Sequence, residues 1–440
     1  MYEWLPGVLV LLSLIFLGMP IAYAMLLVGF GGLLSMYSYD VAMVLTLISD
    51  MALETSMNYS LSVIPLFIIM GNLVTASRMS ESLYDACHKW MGHYRGGLAH
   101  ATVASSAAFS AVCGSSLATA ATMSKVALPS MRRYGYADRL STGTIAAGGT
   151  LGILIPPSTI LIIYGILTST NIGKLFMAGI VPGLIGIFGY MMAVKYIVWR
   201  DPSAGPPADK VSLVERLRAT RGVIGIVGLF VLIIGGIYVG MFTPTEAAGI
   251  GACGALIIAI LRRTLTFKSL LGVLKETAQT TTMLFFIMIG AFVFNMYVEF
   301  SGLSGDIQSL VSMSGLSPLM VILILMAIYV VLGMVLESLS MIFLTVPVLY
   351  PLVASLGFVD PSFGEEAALI WFGIFVVIVT EISLITPPVG INIFVLKSVV
   401  KGIDIGTIIR GVIPFIFADV FRLIFIVLFP ALILFLPMRL

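Results

Sequence analysis

Gly148-Gly149-Thr150-Leu151-Gly152-Ile153-Leu154-Ile155-Pro156-Pro157 and Thr380-Glu381-Ile382-Ser383-Leu384-Ile385-Thr386-Pro387-Pro388 decide how this chain folds. Each sets a double proline in the middle of an apolar run long enough to cross a membrane. A proline inside a helix deletes an i→i−4 hydrogen bond and drives its ring into the preceding turn. It also pushes the residue before it out of α geometry. In lipid the freed N–H and C=O groups need partners, so an interrupted helix persists only where protein buries it or where it lines a wet cavity. Two such interruptions, one in each half of the chain, point to a transport site at mid-membrane. A pair of kinks that serves only packing is the plainer alternative. A polar hairpin upstream of each break argues against it.

The composition agrees with a membrane setting. Of 440 residues, 60% are hydrophobic and only 10% charged. Apolar runs of about 20 residues, enough for a ~30 Å hydrocarbon core, recur throughout. The fold class is therefore an all-α integral membrane protein. A net charge of +2 gives no footing for a nucleic-acid partner. Cys87, Cys113 and Cys253 are odd in number and lie in or near apolar runs, so they make no disulfide framework. Ala22-Tyr23-Ala24 imitates a signal-peptidase site, but no Lys or Arg precedes Arg78. The basic n-region is missing, and the N-terminus reads as a retained helix. No G-x-x-x-x-G-K-[ST] loop is present, so nucleotide does not power this chain.

Charge sets the topology. Residues 5–37 form one apolar stretch interrupted at Gly18-Met19-Pro20, either one tilted helix or two short ones. With the acidic connection 38–58 they make an N-terminal scaffold helix and connecting arm, 1–58. A span at 59–77 leads to a loop holding Arg78, Lys89 and Arg95, and the small, apolar segment 97–130 is followed by Arg132, Arg133 and Arg139. Both flanks of 97–130 are thus basic and belong in the cytoplasm. The segment enters and leaves on one side, as a re-entrant helical hairpin with Cys113-Gly114-Ser115-Ser116 at its tip. The broken span 140–168 crosses outward and 173–199 returns, which closes a first repeat, 59–199. The Arg- and Lys-rich loop 200–221 is the main internal boundary.

Scaffold helices and an amphipathic arm (222–278) precede the second repeat, 279–440, where the charge pattern inverts. Around 317–354 stand Glu299, Asp306, Asp360, Glu365 and Glu366 with no basic residue. This is a second hairpin, entering from the outer face, with Gly333 near its tip. The broken span 366–396 then runs inward to Lys397, Lys401 and Arg410, and a last span, 411–436, ends outside. Most of the 23 basic residues fall in loops so assigned to the cytoplasm. Weak residue matches keep the same order in both halves: Leu66-Phe67-Ile68-Ile69-Met70-Gly71 with Phe285-Phe286-Ile287-Met288-Ile289-Gly290, Gly114 with Gly333, and Gly179-Ile180-Val181-Pro182 with Gly411-Val412-Ile413-Pro414. Together with opposite hairpin sidedness they read as an inverted-topology repeat, with a site where the halves meet.

The first hairpin tip leaves carbonyls at the end of one half-helix and N–H groups at the start of the next. The first suit a cation and the second an anion. Gly114 permits the positive φ of a tight turn. Ser115, Ser116 and Thr119 add hydroxyl oxygens of the kind hard cations such as sodium prefer. Gly148, Gly149 and Gly152 let the broken span come close. Small residues packing helices together is the plainer reading. The second tip, Gly333 to Ser338, has fewer hydroxyls and one carboxylate, Glu337. Glu337 and Glu381 are ionisable groups at membrane depth, which by default are functional. They could bind sodium, carry a proton or pair with a backbone N–H. Thr380, Ser383, Thr386 and Asn392 offer further oxygens. Asp419 and Arg422, three residues apart on one helix, read as a structural ion pair. Lys125 reads as snorkelling to the cytoplasm, and His88, His93 and His100 as solvated histidines.

The Gly-Ser-Ser tip, the stretch 148–158, Thr386-Pro387-Pro388-Val389-Gly390 and the arginine-flanked first hairpin resemble the large membrane subunit of tripartite ATP-independent periplasmic (TRAP) transporters. The resemblance covers essentially the whole chain. It implies a transporter of the bacterial inner membrane and no enzyme. It also implies two partners, a small four-helix membrane subunit and a periplasmic substrate-binding protein. Sodium ions would drive uptake of an organic acid such as a dicarboxylate or sialic acid, by an elevator motion of hairpins and broken helices against a scaffold. One sodium site would fall at Gly114, Ser115 and Ser116 with Gly149 and Gly152. A second would fall at Gly333 and Glu337 with Thr380, Ser383 and Thr386. The acid is expected beside the breaks, near Thr119, Pro156, Pro157, Pro387 and Pro388. The small subunit is expected as a separate chain. A stand-alone sodium–carboxylate symporter is the main alternative, and a membrane-embedded enzyme or assembly subunit a more distant one.

Overall fold

The structure is a computed structural model that describes residues 4–364 and 366–439. Glu365, read above as part of the acidic outer loop, lies outside the described residues, as does the Arg439 side chain. All regular secondary structure among the described residues is helical.

The N-terminal stretch is two helices, α1 (Trp4–Phe16) and α2 (Ile21–Met36), because Gly18 takes a positive φ and Pro20 follows it. The segment expected as a connecting arm is instead a third helix, α3 (Val41–Met57), capped by the Asp40 carboxylate on Met43 N. Val44, Ile48, Met51 and Thr55 recur at helical spacing and turn inward, leaving Asp50 and Glu54 exposed. Then come α4 (Val63–Ala76), α5 (Met79–Met91) and the hairpin α6 (Gly97–Cys113) and α7 (Ser116–Arg133). The first broken span is α8 (Asp138–Thr150), a 3₁₀ turn at Leu151–Ile153 and α9 (Thr159–Leu167), and α10 (Ile172–Arg200) follows. The loop after it carries α11 (Leu213–Arg221). Next are α12 (Ile224–Tyr238), α13 (Pro244–Leu261) and the 34-residue α14 (Phe267–Phe300), which fuses the expected amphipathic arm to the next span.

The second half repeats the order of α4 to α10. The surface helix α15 (Leu303–Ser314) is followed by the hairpin α16 (Pro318–Gly333) and α17 (Ser338–Ser355). The second broken span, α18 (Ala367–Ile385) and α19 (Ile391–Val399), leads to α20 (Ile405–Leu428) and the short α21 (Ala431–Leu434). Both breaks hold a cis Pro–Pro bond, Pro156-Pro157 and Pro387-Pro388. Both long helices that close a half carry one internal proline, Pro182 and Pro414. By length and hydropathy, seven helices among the described residues can cross a membrane.

The packing divides into a frame and a body. In the frame, α14 lies against α2, α3 and α4, and α13 against α4 and α12. In the body, elements exchange partners between halves: α9 packs on α17 and α18, while α19 packs on α7 and α8. Span α18 lies at the centre, with 89% of its apolar window buried, against 28% for α13 at the rim. At one point the halves meet backbone to backbone. A Cβ on Gly411 would collide with the Arg139 carbonyl, and one on Gly143 with the Gly411 carbonyl, so α8 and α20 touch with no side chain between them. Gly411→Val should therefore force a backbone shift costing roughly 1–3 kcal/mol. It should be visible as a lower apparent Tm of the purified protein, whereas the same change at Gly228, which has open space around it, should leave Tm within about a degree.

Candidate functional site at the hairpin tips and helix breaks

The first tip is built as its residues dictate. Gly114 ends α6 with φ +64, and Ser115 turns to an extended conformation and caps α7 through its hydroxyl on Ala118 N, 3.3 Å. The Ser115 carbonyl accepts from Thr119 Oγ1 at 2.8 Å. The broken span closes on this tip because it lacks side chains there. A Cβ on Gly149 would lie 3.1 Å from the Ser116 carbonyl oxygen, and one on Gly152 3.3 Å from that of Ser115. Beyond the break, Ser158 caps α9 through its hydroxyl on Leu161 N, and Thr159 donates to the Gly114 carbonyl at 3.1 Å. The five residues expected to form one cation site, Gly114, Ser115, Ser116, Gly149 and Gly152, thus converge. Thr119 is fully buried beneath them, and Pro157 places its carbonyl beside Gly114.

The second tip is constructed differently. Gly333 ends α16 without a positive φ and sits against Ser383 of α18. Glu337 occupies the N-cap position of α17 but makes no capping bond. Its carboxylate accepts from Ser340 Oγ at 3.4 Å and is half-buried. Thr380, Ser383 and Thr386 donate to carbonyls of their own helix, those of Val376, Thr380 and Ile382. Their remaining lone pairs are free to accept. Pro388 is exposed and Pro387 half-buried.

The two tips, each expected to hold a cation site of its own, share one cavity, which takes in Glu337 but not Gly333, Thr380, Ser383 or Thr386. Gly114, Ser115 and Ser116 of the first tip line a cavity of about 80 Å³ together with Glu337 and Ser338 of the second. Ile153, Thr159 and Ile160 from one break, Leu384 and Ile391 from the other, and Leu117 and Leu339 beside the tips complete its wall. Among its described lining residues Glu337 is the one carboxylate. Glu337 and Ser340 also face a second cavity of about 960 Å³, between the hairpin and the frame residues Pro20 to Tyr23 of the α2 end and Ala278 to Ile287 of α14. Among the described residues no three His, Cys, Asp or Glu side chains converge, so His88, His93 and His100 form no metal centre.

Glu381 belongs to a different structure. It is fully buried and pairs with Arg422, whose guanidinium also lies 2.8 Å from Asp419 Oδ1, angled for charge pairing and not for a hydrogen bond. Tyr190 of α10 donates to Asp419 Oδ2 at 2.6 Å and stands 3.0 Å from Thr150 Oγ1, at the end of α8. The network ties α8, α10, α18 and α20 together beneath both breaks. The Asp419–Arg422 spacing was visible in the sequence. The third partner was not, since nothing local links residue 381 to residue 422. Asn392 escapes local reading in the same way: its amide donates to the Ala146 carbonyl of the other half at 3.2 Å.

The sequence profile of the "Tripartite ATP-independent periplasmic transporter, DctM component" matches residues 8–432. The chain belongs to this family. It is 38% identical over 386 residues to the C4-dicarboxylate TRAP transporter large permease protein DctM of Pseudomonas aeruginosa, covering 87% of each chain. It is 33% identical to the 2,3-diketo-L-gulonate TRAP transporter large permease protein YiaN of Escherichia coli (98% of this chain, 97% of that protein). To the sialic acid TRAP transporter large permease protein SiaM of Vibrio cholerae it is 31% identical (97% and 96%). The fold resembles the YdaH transporter of Alcanivorax borkumensis, with a TM-score of 0.61 at 13% identity over 89% of each chain. This DctM-family chain is a multi-pass permease of the bacterial inner membrane and not an enzyme.

The buried network makes a direct prediction. Removing one partner of a buried ion pair leaves charge stranded and costs about 3–5 kcal/mol. Arg422→Met should sharply lower thermal stability in detergent, and adding Glu381→Gln should recover part of the loss, because one of the two stranded carboxylates is then neutral.

Proposed function

We propose that this permease drives uptake of an organic acid with sodium ions, taking the acid from a periplasmic binding protein and working with a small four-helix membrane subunit. The observation that carries this reading is the convergence of both hairpin tips on one cavity of about 80 Å³, whose largely apolar wall carries Ser115, Ser116, Thr159, Glu337 and Ser338. Oxygen ligands from carbonyls, hydroxyls and one carboxylate suit a hard monovalent cation. The volume admits a cation with a few waters. The 960 Å³ cavity beside it lies in the size range of small-molecule sites. The named substrates of the relatives include a C4-dicarboxylate, a diketogulonate and a sialic acid, which share a carboxylate.

Glu337 supplies a reason for coupling, since it faces both cavities. An unneutralised carboxylate there repels an incoming acid. A cation held between Glu337 and the first tip cancels that repulsion, so each ligand raises the affinity for the other. The two-halves arrangement supports an inverted repeat, with the second hairpin entering from the periplasmic face. The frame and body packing supports an elevator, in which the body of hairpins, broken spans, α10 and α20 slides along α2 and α14 and carries the tips across.

Uptake by vesicles holding both membrane subunits, with and without a sodium gradient and with and without a loaded binding protein, tests the reading over a panel of carboxylates. Uptake should require both. Equal uptake without sodium would overturn the coupling, and uptake without a binding protein would point to a stand-alone symporter. Ser115→Ala with Ser116→Ala should raise the sodium concentration for half-maximal uptake on the order of tenfold, the equivalent of about 1.4 kcal/mol. Glu337→Gln should flatten the sodium dependence of acid binding itself. Unchanged sodium activation in both variants would remove the tips from the site.

A further inference from the structure

We infer that a phospholipid with an anionic headgroup occupies a built groove between the cytoplasmic ends of α10 and α20. Two adjoining cavities, different in chemistry, form it. The outer one, about 420 Å³, is lined by Arg139, Arg200 and Arg410 with Tyr196 and a single acid, Asp201. Asp201 is committed: it accepts from Ser203 N and Oγ and pairs with Arg139 at 2.8 Å. Arg200 makes one contact at 3.3 Å, to Tyr196 Oη, and Arg410 takes part in no ion pair among the described residues. Three guanidinium groups against one neutralised carboxylate leave a cationic pocket at the face that the basic loops assign to the cytoplasm.

The inner cavity, about 890 Å³, shares Tyr196 and Pro414 with the first and is a trough of Phe188, Met192, Phe417 and Phe421. Phe188, Phe417 and Phe421 are each at least 65% exposed, so no helix among the described residues covers them. The two helices run antiparallel, with Gly189 beside Ala418 and Gly186 beside Arg422, and the small Gly189, Ala193 and Ala418 open the trough between them, with Arg422 at its inner end. From Tyr196 to Ile185 the trough runs roughly 16 Å, at 1.5 Å per residue. That is about half of the ~30 Å hydrocarbon core. A cationic head pocket continuous with an apolar trough one leaflet deep matches a phosphate-bearing lipid with one acyl chain in the trough. Basic pockets between membrane helices on the cytoplasmic side take such headgroups. Tyr196, and Trp199 at 78% exposure, stand at the level where aromatic side chains meet the headgroups. A free phosphate or organic anion would fill the head pocket alone and leave the trough without a role.

The test uses the purified permease in detergent, titrated with phosphatidylglycerol, phosphatidylcholine of the same chains, or inorganic phosphate. Bound lipid is counted by native mass spectrometry and thermal stability is followed in parallel. Phosphatidylglycerol should be retained as one tight copy and should raise Tm, phosphatidylcholine should be retained on the order of tenfold less well, and inorganic phosphate should not displace the lipid. Arg200→Gln with Arg410→Gln should weaken phosphatidylglycerol retention on the order of tenfold, and the double lysine variant should restore part of it. Gly189→Phe, which plugs the trough, should abolish the tight copy with the arginines intact. Equal retention by wild type and the glutamine variant would overturn the site. Stabilisation by inorganic phosphate equal to that by lipid would reduce it to a soluble-anion pocket. Loss of the tight lipid on adding the small membrane subunit would assign the face to protein contact instead.

Discussion

A helix interrupted inside a bilayer must find partners for its freed backbone groups within the protein, and this requirement organises the whole molecule. At the first break the partners come from close at hand. Ser158 donates to the Ile153 carbonyl and caps α9. Thr159 reaches the Gly114 carbonyl of the hairpin. At the second, Gly390 opens α19 with a positive φ, and Asn392 anchors it to α8 of the other half. Each repair draws a hairpin or the opposite half inward. The pieces thereby become one body with oxygen-rich ends meeting at its centre, and the same unsatisfied polarity that must be managed for folding becomes the chemistry of the site.

The buried charges secure that body. Burying three ionisable side chains is expensive, and these are placed where four helices from both halves meet. Arg422 serves two carboxylates and Tyr190 serves one of them. The body so fixed packs tightly within itself, as at Gly143 and Gly411, and leaves a cavity of about 960 Å³ between the Glu337 tip and α2 and α14. That contrast is what the proposed elevator motion needs: a rigid carrier and a compliant boundary.

Much of this was legible because its causes are local. Pro156-Pro157 and Pro387-Pro388 break helices wherever they stand, and Gly114 with Ser115 turns and caps in one step. The basic flanks of α6 and α7 are the local signal from which that hairpin is expected to enter from the cytoplasm. What escaped depends on distant partners. Helix α3 has a buried stripe too narrow and a composition too polar to stand out from an acidic connection. The Glu381–Arg422 pair joins residues whose proximity only the packed fold creates. The merging of both tips in one cavity follows from α9 packing on α17 and α19 on α7, an exchange between halves that no single stretch encodes.

We propose that two similar halves lie upside-down relative to each other, so that hairpins entering from opposite faces meet in the middle. Single cysteines in place of Asp85 and Asp360, both exposed, in a background with Cys87, Cys113 and Cys253 replaced, can be labelled in oriented vesicles with a membrane-impermeant maleimide. The account predicts labelling at position 85 only from the cytoplasmic side and at position 360 only from the periplasmic side. Labelling of both from one side would contradict it.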